Sequence, residues 1–258
     1  MKAVILAAGR GTRIESATHG VPKCLLQFGS RTILDYQIES LWAAGISRIG
    51  IVVGHNGERI VDHVRRAVGE ADDLFEFIWN PLFQFTNNIY SLWMARDWVG
   101  SDGFLCLNAD VLFHPAILEP AMMMRVPASM IVDPQWRDET MKVIIRGGNV
   151  VQMSKTIPRS EYSATYIGIT AFSRVVVPSL FDEIEMLLAQ GQANQFFNAA
   201  VQNLIKRGLR VGFSSTSGLP WAEIDDPMDL RYARTQVYPR LRGDVILTPQ
   251  RRPVGAVA

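Results

Sequence analysis

The sequence predicts an α/β fold: a doubly wound, mainly parallel sheet, with a smaller mixed β part closing over it. Three observations support this. Strand-like apolar runs alternate with helix-period segments through the first half of the chain. The first of these runs ends in a glycine-rich turn, as ligand-binding α/β sheets do at the carboxyl ends of their strands. From about residue 129 the pattern changes to short strand-like pieces joined by turns.

Residues 3–8 (AVILAA) are the first strand, and Gly9-Arg10-Gly11-Thr12-Arg13 is the turn after it. Residues 32–44 carry Ile33, Leu34, Ile38, Leu41 and Trp42 at helical spacing, with Gly45 as the stop. The β-branched run 49–53 is the second strand, 58–68 a helix ending at Gly69, and 75–79 the third strand. Residues 88–98 form a helix with Asn88 as N-cap, and 104–107 a strand running into Asn108-Ala109-Asp110. In the second half, strands are expected at 129–132, 142–145, 150–153, 164–172 and 210–214. Helices are expected at 175–188, 195–207 and 226–238, the last with Pro227 in its first turn. Residues 1–239 read as one domain, with the alternating strands and helices at 1–126 and the mixed part and final helix at 127–239. Residues 240–258 read as a flexible tail or an arm reaching a neighbouring subunit.

Composition narrows the function. With 258 residues, 48% hydrophobic and 20% charged, the chain is an ordinary globular one, and its net charge of +1 gives no case for nucleic acid or an anionic membrane. The basic cluster Arg240, Arg242, Arg251 and Arg252 reads as part of a solvated tail. Two cysteines, Cys24 and Cys106, form no framework and lie in apolar runs as small hydrophobes, so a reducing cytoplasm is expected. No run reaches membrane-spanning length. His19, His55, His63 and His114 are scattered, without triad or zinc spacing.

The chemistry-bearing residues gather at strand ends. Two glycines let the backbone approach phosphates, and Arg13 offers a planar fork for two phosphate oxygens. Together with Lys23 of Val21-Pro22-Lys23, they suit a nucleoside triphosphate. The spacing is neither a Walker loop nor a dinucleotide fingerprint. Asp110 closes an apolar strand, where a metal-anchoring carboxylate or a turn-forming one belongs. Glu223, Asp225 and Asp226 repel one another unless a cation compensates, and Mg²⁺ takes carboxylate together with phosphate oxygens. Asp226 before Pro227 is alternatively a helix cap, which leaves Asp225 to pair with Asp110. Lys155 either meets the phosphate of a second substrate or is a solvated surface lysine.

Residues 3–13 and Pro22-Lys23 resemble the A-x-x-L-A-A-G-x-G-T-R and P-K signature of nucleotidyltransferases that join an NTP to a sugar phosphate or small alcohol phosphate. Ile14-Glu15-Ser16-Ala17-Thr18 departs from the Leu-x-Pro-Leu-Thr usual in the sugar enzymes. Asn87-Asn88-Ile89-Tyr90-Ser91-Leu92 resembles the matching segment of bacterial phosphocholine, 2-aminoethylphosphonate and inositol-phosphate cytidylyltransferases. Met141-Lys142-Val143, Ser154-Lys155, Tyr166-Ile167-Gly168-Ile169 and Glu223-Ile224-Asp225 are similar to that branch too.

The resemblance implies a Rossmann-like core and a cytoplasmic enzyme. It would transfer CMP from CTP to a small phosphate or phosphonate acceptor and release pyrophosphate. Mg²⁺ is the implied cofactor, held by Asp110 and Asp225. Arg13, Lys23 and Lys155 are the expected catalytic residues. The nucleotide is expected against Leu6, Ala8, Gly9, Gly11, Thr12, Asn80 and Asn87. The acceptor is expected against Asn88, Tyr90, Asp133, Glu161, Tyr166 and Trp221. Trp136, Tyr162, Tyr166 and Trp221 could cage a choline head, and Asp133, Asp138, Glu139 or Glu161 could pair with an aminoalkyl head. Asn87, Asn88 and Thr165 suit a polyol. The alternative is a sugar- or cyclitol-phosphate nucleotidyltransferase using UTP, dTTP or GTP. Dimers are common among such enzymes, so a homodimer is an option that the sequence leaves open.

Overall fold

The computed structural model describes residues 1–123 and 125–244. The chain opens with β1 (Lys2–Ala7), passes a short helix α1 (Glu15–Thr18), and makes a small hairpin of β2 (Gln27–Phe28) and β3 (Arg31–Thr32). Helix α2 (Ile33–Ala43) starts with a reciprocal cap: the Thr32 hydroxyl accepts from Asp35 N at 3.2 Å and the Asp35 carboxylate from Thr32 N at 2.7 Å. Then come β4 (Ile49–Val53), α3 (Gly57–Val68), β5 (Phe75–Trp79), α4 (Asn88–Met94), α5 (Arg96–Val99) and β6 (Phe104–Asn108). These strands lie in the order β5-β4-β1-β6, all parallel. Side chains of β1 alternate across the sheet. Val4 and Leu6 join a core with α4, α7 and α8, whereas Ala3, Ile5 and Ala7 join another with α2 and α3. Each buried Val, Leu or Ile contributes about 1.5–3 kcal/mol, so the strand is apolar on both faces.

The helix expected at 88–98 is interrupted at Ala95. Its cap is Asn87, whose Oδ1 accepts from Asn88 N at 2.8 Å, one residue before the expected Asn88.

The second half supplies β7 (Val111–Phe113), α6 (Leu118–Met123), β8 (Ala128–Asp133), β9 (Lys142–Arg146), β10 (Asn149–Ser154) and β11 (Ala164–Phe172). It ends with α7 (Val177–Ala189), α8 (Asn198–Lys206), β12 (Val211–Ser215), β13 (Trp221–Glu223), α9 (Pro227–Tyr232) and α10 (Tyr238–Asp244). The mixed part continues the parallel sheet rather than forming a separate one. β11 pairs antiparallel with β6, and the order runs on as β11-β8-β12-β10-β9. β13 pairs with β7 in a separate ribbon that sets Glu223 opposite Val111, and Ile224 N donates to Asp110 O at 3.0 Å. That ribbon carries the carboxylates around Asp225 to the carboxyl end of β6.

Asp226 caps α9, accepting from Met228 N at 2.7 Å and Asp229 N at 2.9 Å. The helix runs past residue 239, and Arg240 donates to Gly218 O at 2.7 Å, so the expected tail cannot begin there. Residues 245–258 of that tail lie outside the described residues. Among the described residues no helix is long and apolar enough to cross a membrane.

Candidate active site

A cavity of about 210 Å³ opens at the carboxyl ends of β1 and β6. β1 delivers Leu6, Ala8 and Gly9 to it, and β6 delivers Asn108 and Asp110. A recess of about 90 Å³ adjoins it, lined by Gly9, Gly11, Lys23 and Asp110 among others. Gly11 is left-handed (φ 63°), and a Cβ there would lie 3.1 Å from Lys23 Cγ and 3.2 Å from Lys23 Cε. The glycine therefore serves both the turn and the passage of Lys23.

The centre of the site is an ion-pair knot. Lys23 Nζ lies 2.6 Å from Asp225 Oδ1 and 3.2 Å from Asp110 Oδ2. Arg13 reaches Asp225 Oδ2 at 2.9 Å and Glu139 Oε2 at 3.5 Å. Burial works against the Lys23 charge, but Asp110 and Asp225 outweigh it and hold the ammonium above its usual range. Burial likewise opposes the Asp225 charge, and Lys23 and Arg13 overcome it, keeping that carboxyl below its usual range. Glu223 goes the other way: burial, then the charges of Asp110 and Asp225, outweigh Lys23 and Lys155 and push its carboxyl up to about 8.

This donor set fits Mg²⁺. Among the described residues there is no cluster of three or more His, Cys, Asp or Glu placed as metal ligands. Two aspartates are what this ion takes from a protein when nucleotide phosphates supply the rest.

Most of the expected residues meet here. Leu6, Ala8, Gly9, Arg13, Asn80, Asn87, Asn88, Asp110, Lys155, Tyr166 and Asp225 line the cavity, with Gly11 and Lys23 in the recess. Some of the amides are already engaged. Asn80 donates to Thr86 and Ser91, at 3.3 and 3.1 Å, and accepts from Leu82 N at 2.9 Å. Asn88 Oδ1 accepts from Phe197 N at 2.8 Å.

Five expected residues line neither space. Thr12 is exposed in a tight turn. Tyr90 stacks on Trp93, 5.4 Å between ring centres. Asp133 is buried and accepts from Thr216 Oγ1 at 2.5 Å, Gln135 N at 2.8 Å and Trp221 Nε1 at 2.9 Å, so no acceptor competes for it. Trp221 is thereby turned into the core, with Arg137 4.2 Å above its ring. Glu161 is exposed in a turn after Pro158. The aromatic cage is not assembled either: Trp136 meets Tyr162 edge-on at 4.9 Å, and of the four rings only Tyr166 lines the cavity.

Glu139, a candidate for an aminoalkyl head, and Glu223, one of the three neighbouring carboxylates, line the cavity too, and it also contains residues given no role in the sequence, notably Asn108, Phe196 and Asn198. Asn108 stood beside Asp110, an expected ligand. Phe196 and Asn198 carried no signal, because they read as ordinary residues of a helix.

A model of the MobA-like NTP transferase domain matches residues 3–204. The chain belongs to that family. It is therefore a nucleotidyltransferase with a Rossmann-like α/β fold, and cytidylyltransferases are among its relatives. The CTP:phosphoglutamine cytidylyltransferase of Campylobacter jejuni is 25% identical over 255 residues, covering 89% of this chain and 98% of the relative. The CMP-5'-(3-aminopropyl)phosphonate synthase of Streptomyces rubellomurinus is 29% identical over 246 residues, which cover 90% of this chain and 38% of that longer protein. The solved inositol-1-phosphate CTP transferase from T. maritima shares the fold with a TM-score of 0.80 and 21% identity, covering 95% of this chain and 97% of that one.

Proposed function

We propose that this nucleotidyltransferase transfers CMP from CTP to a phosphate or phosphonate oxygen of a small acceptor and releases pyrophosphate. The observation that carries the reading is Lys23 held between Asp110 and Asp225, with Arg13 on the same carboxylate, beside the glycine turn. Cations and carboxylates in one knot suit a polyphosphate that arrives with a divalent ion. The cytidylyltransferase relatives support CTP as its source.

In the proposed reaction an acceptor oxygen attacks the α-phosphorus in line. The new P–O bond forms as the α–β bridge breaks, and the bond's electron pair leaves with pyrophosphate. A phosphate monoester is already mostly dianionic at neutral pH, its second pKa being about 6, so no general base is required. The remaining work is to position two anions and stabilise charge. Lys23, Arg13 and the amides of residues 9–12 hold the triphosphate and the departing charge. Asn80 and Asn87 face the nucleotide, while Lys155, Asn88 and Tyr166 face the acceptor. Asp110 and Asp225 would hold Mg²⁺, which neutralises phosphate charge when bound.

The test is pyrophosphate release with Mg²⁺. CTP, UTP, GTP, ATP and dTTP are each crossed with phosphocholine, 2-aminoethylphosphonate, inositol phosphate and glucose 1-phosphate. Turnover confined to CTP with one small acceptor is the expected result. Turnover with UTP, dTTP or GTP and a ring phosphate overturns it and makes the chain a sugar or cyclitol enzyme.

A further inference from the structure

Asn198 begins α8 and lines the main cavity, with 6% of its surface exposed. Its neighbours on that helix, Ala200, Val201 and Leu204, join the apolar core. The polar side chain is almost unpartnered. Among the described residues its side-chain hydrogen bond is Nδ2 to the Met153 sulfur at 4.0 Å, a weak acceptor. An amide paired this weakly adds little to folding, so its polarity serves the cavity rather than the helix. Nearby, Lys155 Nζ sits 4.7 Å from the Phe196 ring, and both line the same cavity. Asn88 latches the backbone just before Asn198 by accepting from Phe197 N, so the amide is held in place.

We infer that Asn198 is a specificity residue that reads the acceptor's head group, and that it selects an uncharged hydrogen-bonding head, such as a hydroxyl or carboxamide, over an ammonium. The inference rests on the proposed reading of Lys155 as the partner of the acceptor phosphate. An amide both donates and accepts but cannot neutralise a cation. The carboxylates expected to receive an ammonium are engaged or lie outside the cavity, Asp138 among the latter, where it accepts from Trp136 Nε1. Asp133 is consumed in the core, Glu161 is outside the cavity, and Glu139, though it lines the cavity, is paired with Arg13 at 3.5 Å. An ammonium offers no acceptor to Asn198 Nδ2, and a polar group of the site left unpaired by the wrong substrate is what makes such sites discriminate.

The test uses two near-isosteric probes, 2-hydroxyethyl phosphate and 2-aminoethyl phosphate, with CTP, Mg²⁺ and the full chain. The wild type is expected to favour the hydroxyl probe in kcat/KM by about tenfold or more. Asn198→Asp should reverse that preference. Asn198→Leu should abolish it, whereas a purely structural role predicts an unchanged ratio. The KM for CTP should stay within about twofold throughout. Unchanged probe ratios in both variants overturn the inference, and so does a wild-type preference for the ammonium probe. Absence of turnover with every nucleotide and acceptor would instead overturn the proposed transfer. Calorimetric affinities of the two probes for the CTP-loaded protein then decide on Asn198, and equal affinities in wild type and Asn198→Asp reject it. If Asn198→Asp does not fold, Asn198→Leu carries the test alone.

Discussion

Replacing Gly11 by alanine separates the two jobs this glycine performs. A left-handed L-residue costs about 1–2 kcal/mol. In a chain of this size 1 kcal/mol moves Tm by about 2–4 °C, so a fall of about 2–8 °C is expected. The added Cβ also stands 3.1 Å from Lys23 Cγ and 3.2 Å from Lys23 Cε, a tight contact that the lysine must relieve by a small shift. Its ammonium is then drawn off the 2.6 Å contact with Asp225. A misplacement of about 1 Å at a positioning group costs about 10² in rate, so this smaller shift should cost up to about 10-fold in kcat/KM for pyrophosphate release. If the rate effect runs through the lysine, Gly11→Ala added to Lys23→Ala should lower the rate no further. Gly9→Ala is the control. A Cβ at Gly9 meets no protein atom within 4 Å, so Tm should hold while nucleotide binding weakens, because Gly9 faces the cavity. Wild-type Tm and kcat/KM in Gly11→Ala would refute the argument.

Asp110→Ala should lower kcat by about 10²–10³ or more; near-normal turnover would remove Asp110 from the reaction. Lys23→Met leaves Asp110, Asp225 and Glu223 facing one another without their shared cation, so Tm should fall, and Mg²⁺ without nucleotide should raise Tm more in this variant than in wild type; an equal response would contradict that. Asp226→Ala removes the cap of α9 and should cost about 1 kcal/mol, read as a Tm loss of about 2–4 °C. Burial opposes the Asp35 charge, but hydrogen bonds from His63 and the Thr32 amide outweigh it and hold the carboxyl below its usual range. Such a group stabilises the fold above its unfolded pKa of about 3.9, and the contribution is lost as pH falls through the folded value. Asp35→Asn should therefore unfold more readily than wild type at pH 7 and converge with it below about pH 3; an equal gap at both pH values would exclude the linkage.

What the sequence revealed about this site was local. The glycine turn, Pro22-Lys23 and the aspartate closing β6 are short-range patterns, and each names a strand end. Asp226 before proline was readable as a cap for the same reason. Asp133 was misread because its partners, Thr216 and Trp221, come from the far end of the chain and meet it only when β12 lies beside β8. Tyr90 sits in a signature segment, but helical geometry turns it onto Trp93, three residues along, and out of the cavity. Asn198 was hidden in the opposite way: helix periodicity treats an N-terminal asparagine as solvated, and only packing shows it buried. The interruption at Ala95 was equally silent, since no proline or glycine marks it.

The strand order has a consequence for how the chain is made. Residues 1–108 can assemble the four parallel strands, but the outer edge of β6 stays bare until β11 emerges, more than fifty residues later. β12 comes later still, and it must enter between β8 and β10, already on either side of its place. A growing chain on the ribosome therefore displays an apolar strand edge for seconds at ordinary synthesis rates, the kind of edge that recruits other strands. Chaperone demand should peak in nascent chains between these two points and disappear once residue 215 has cleared the exit tunnel.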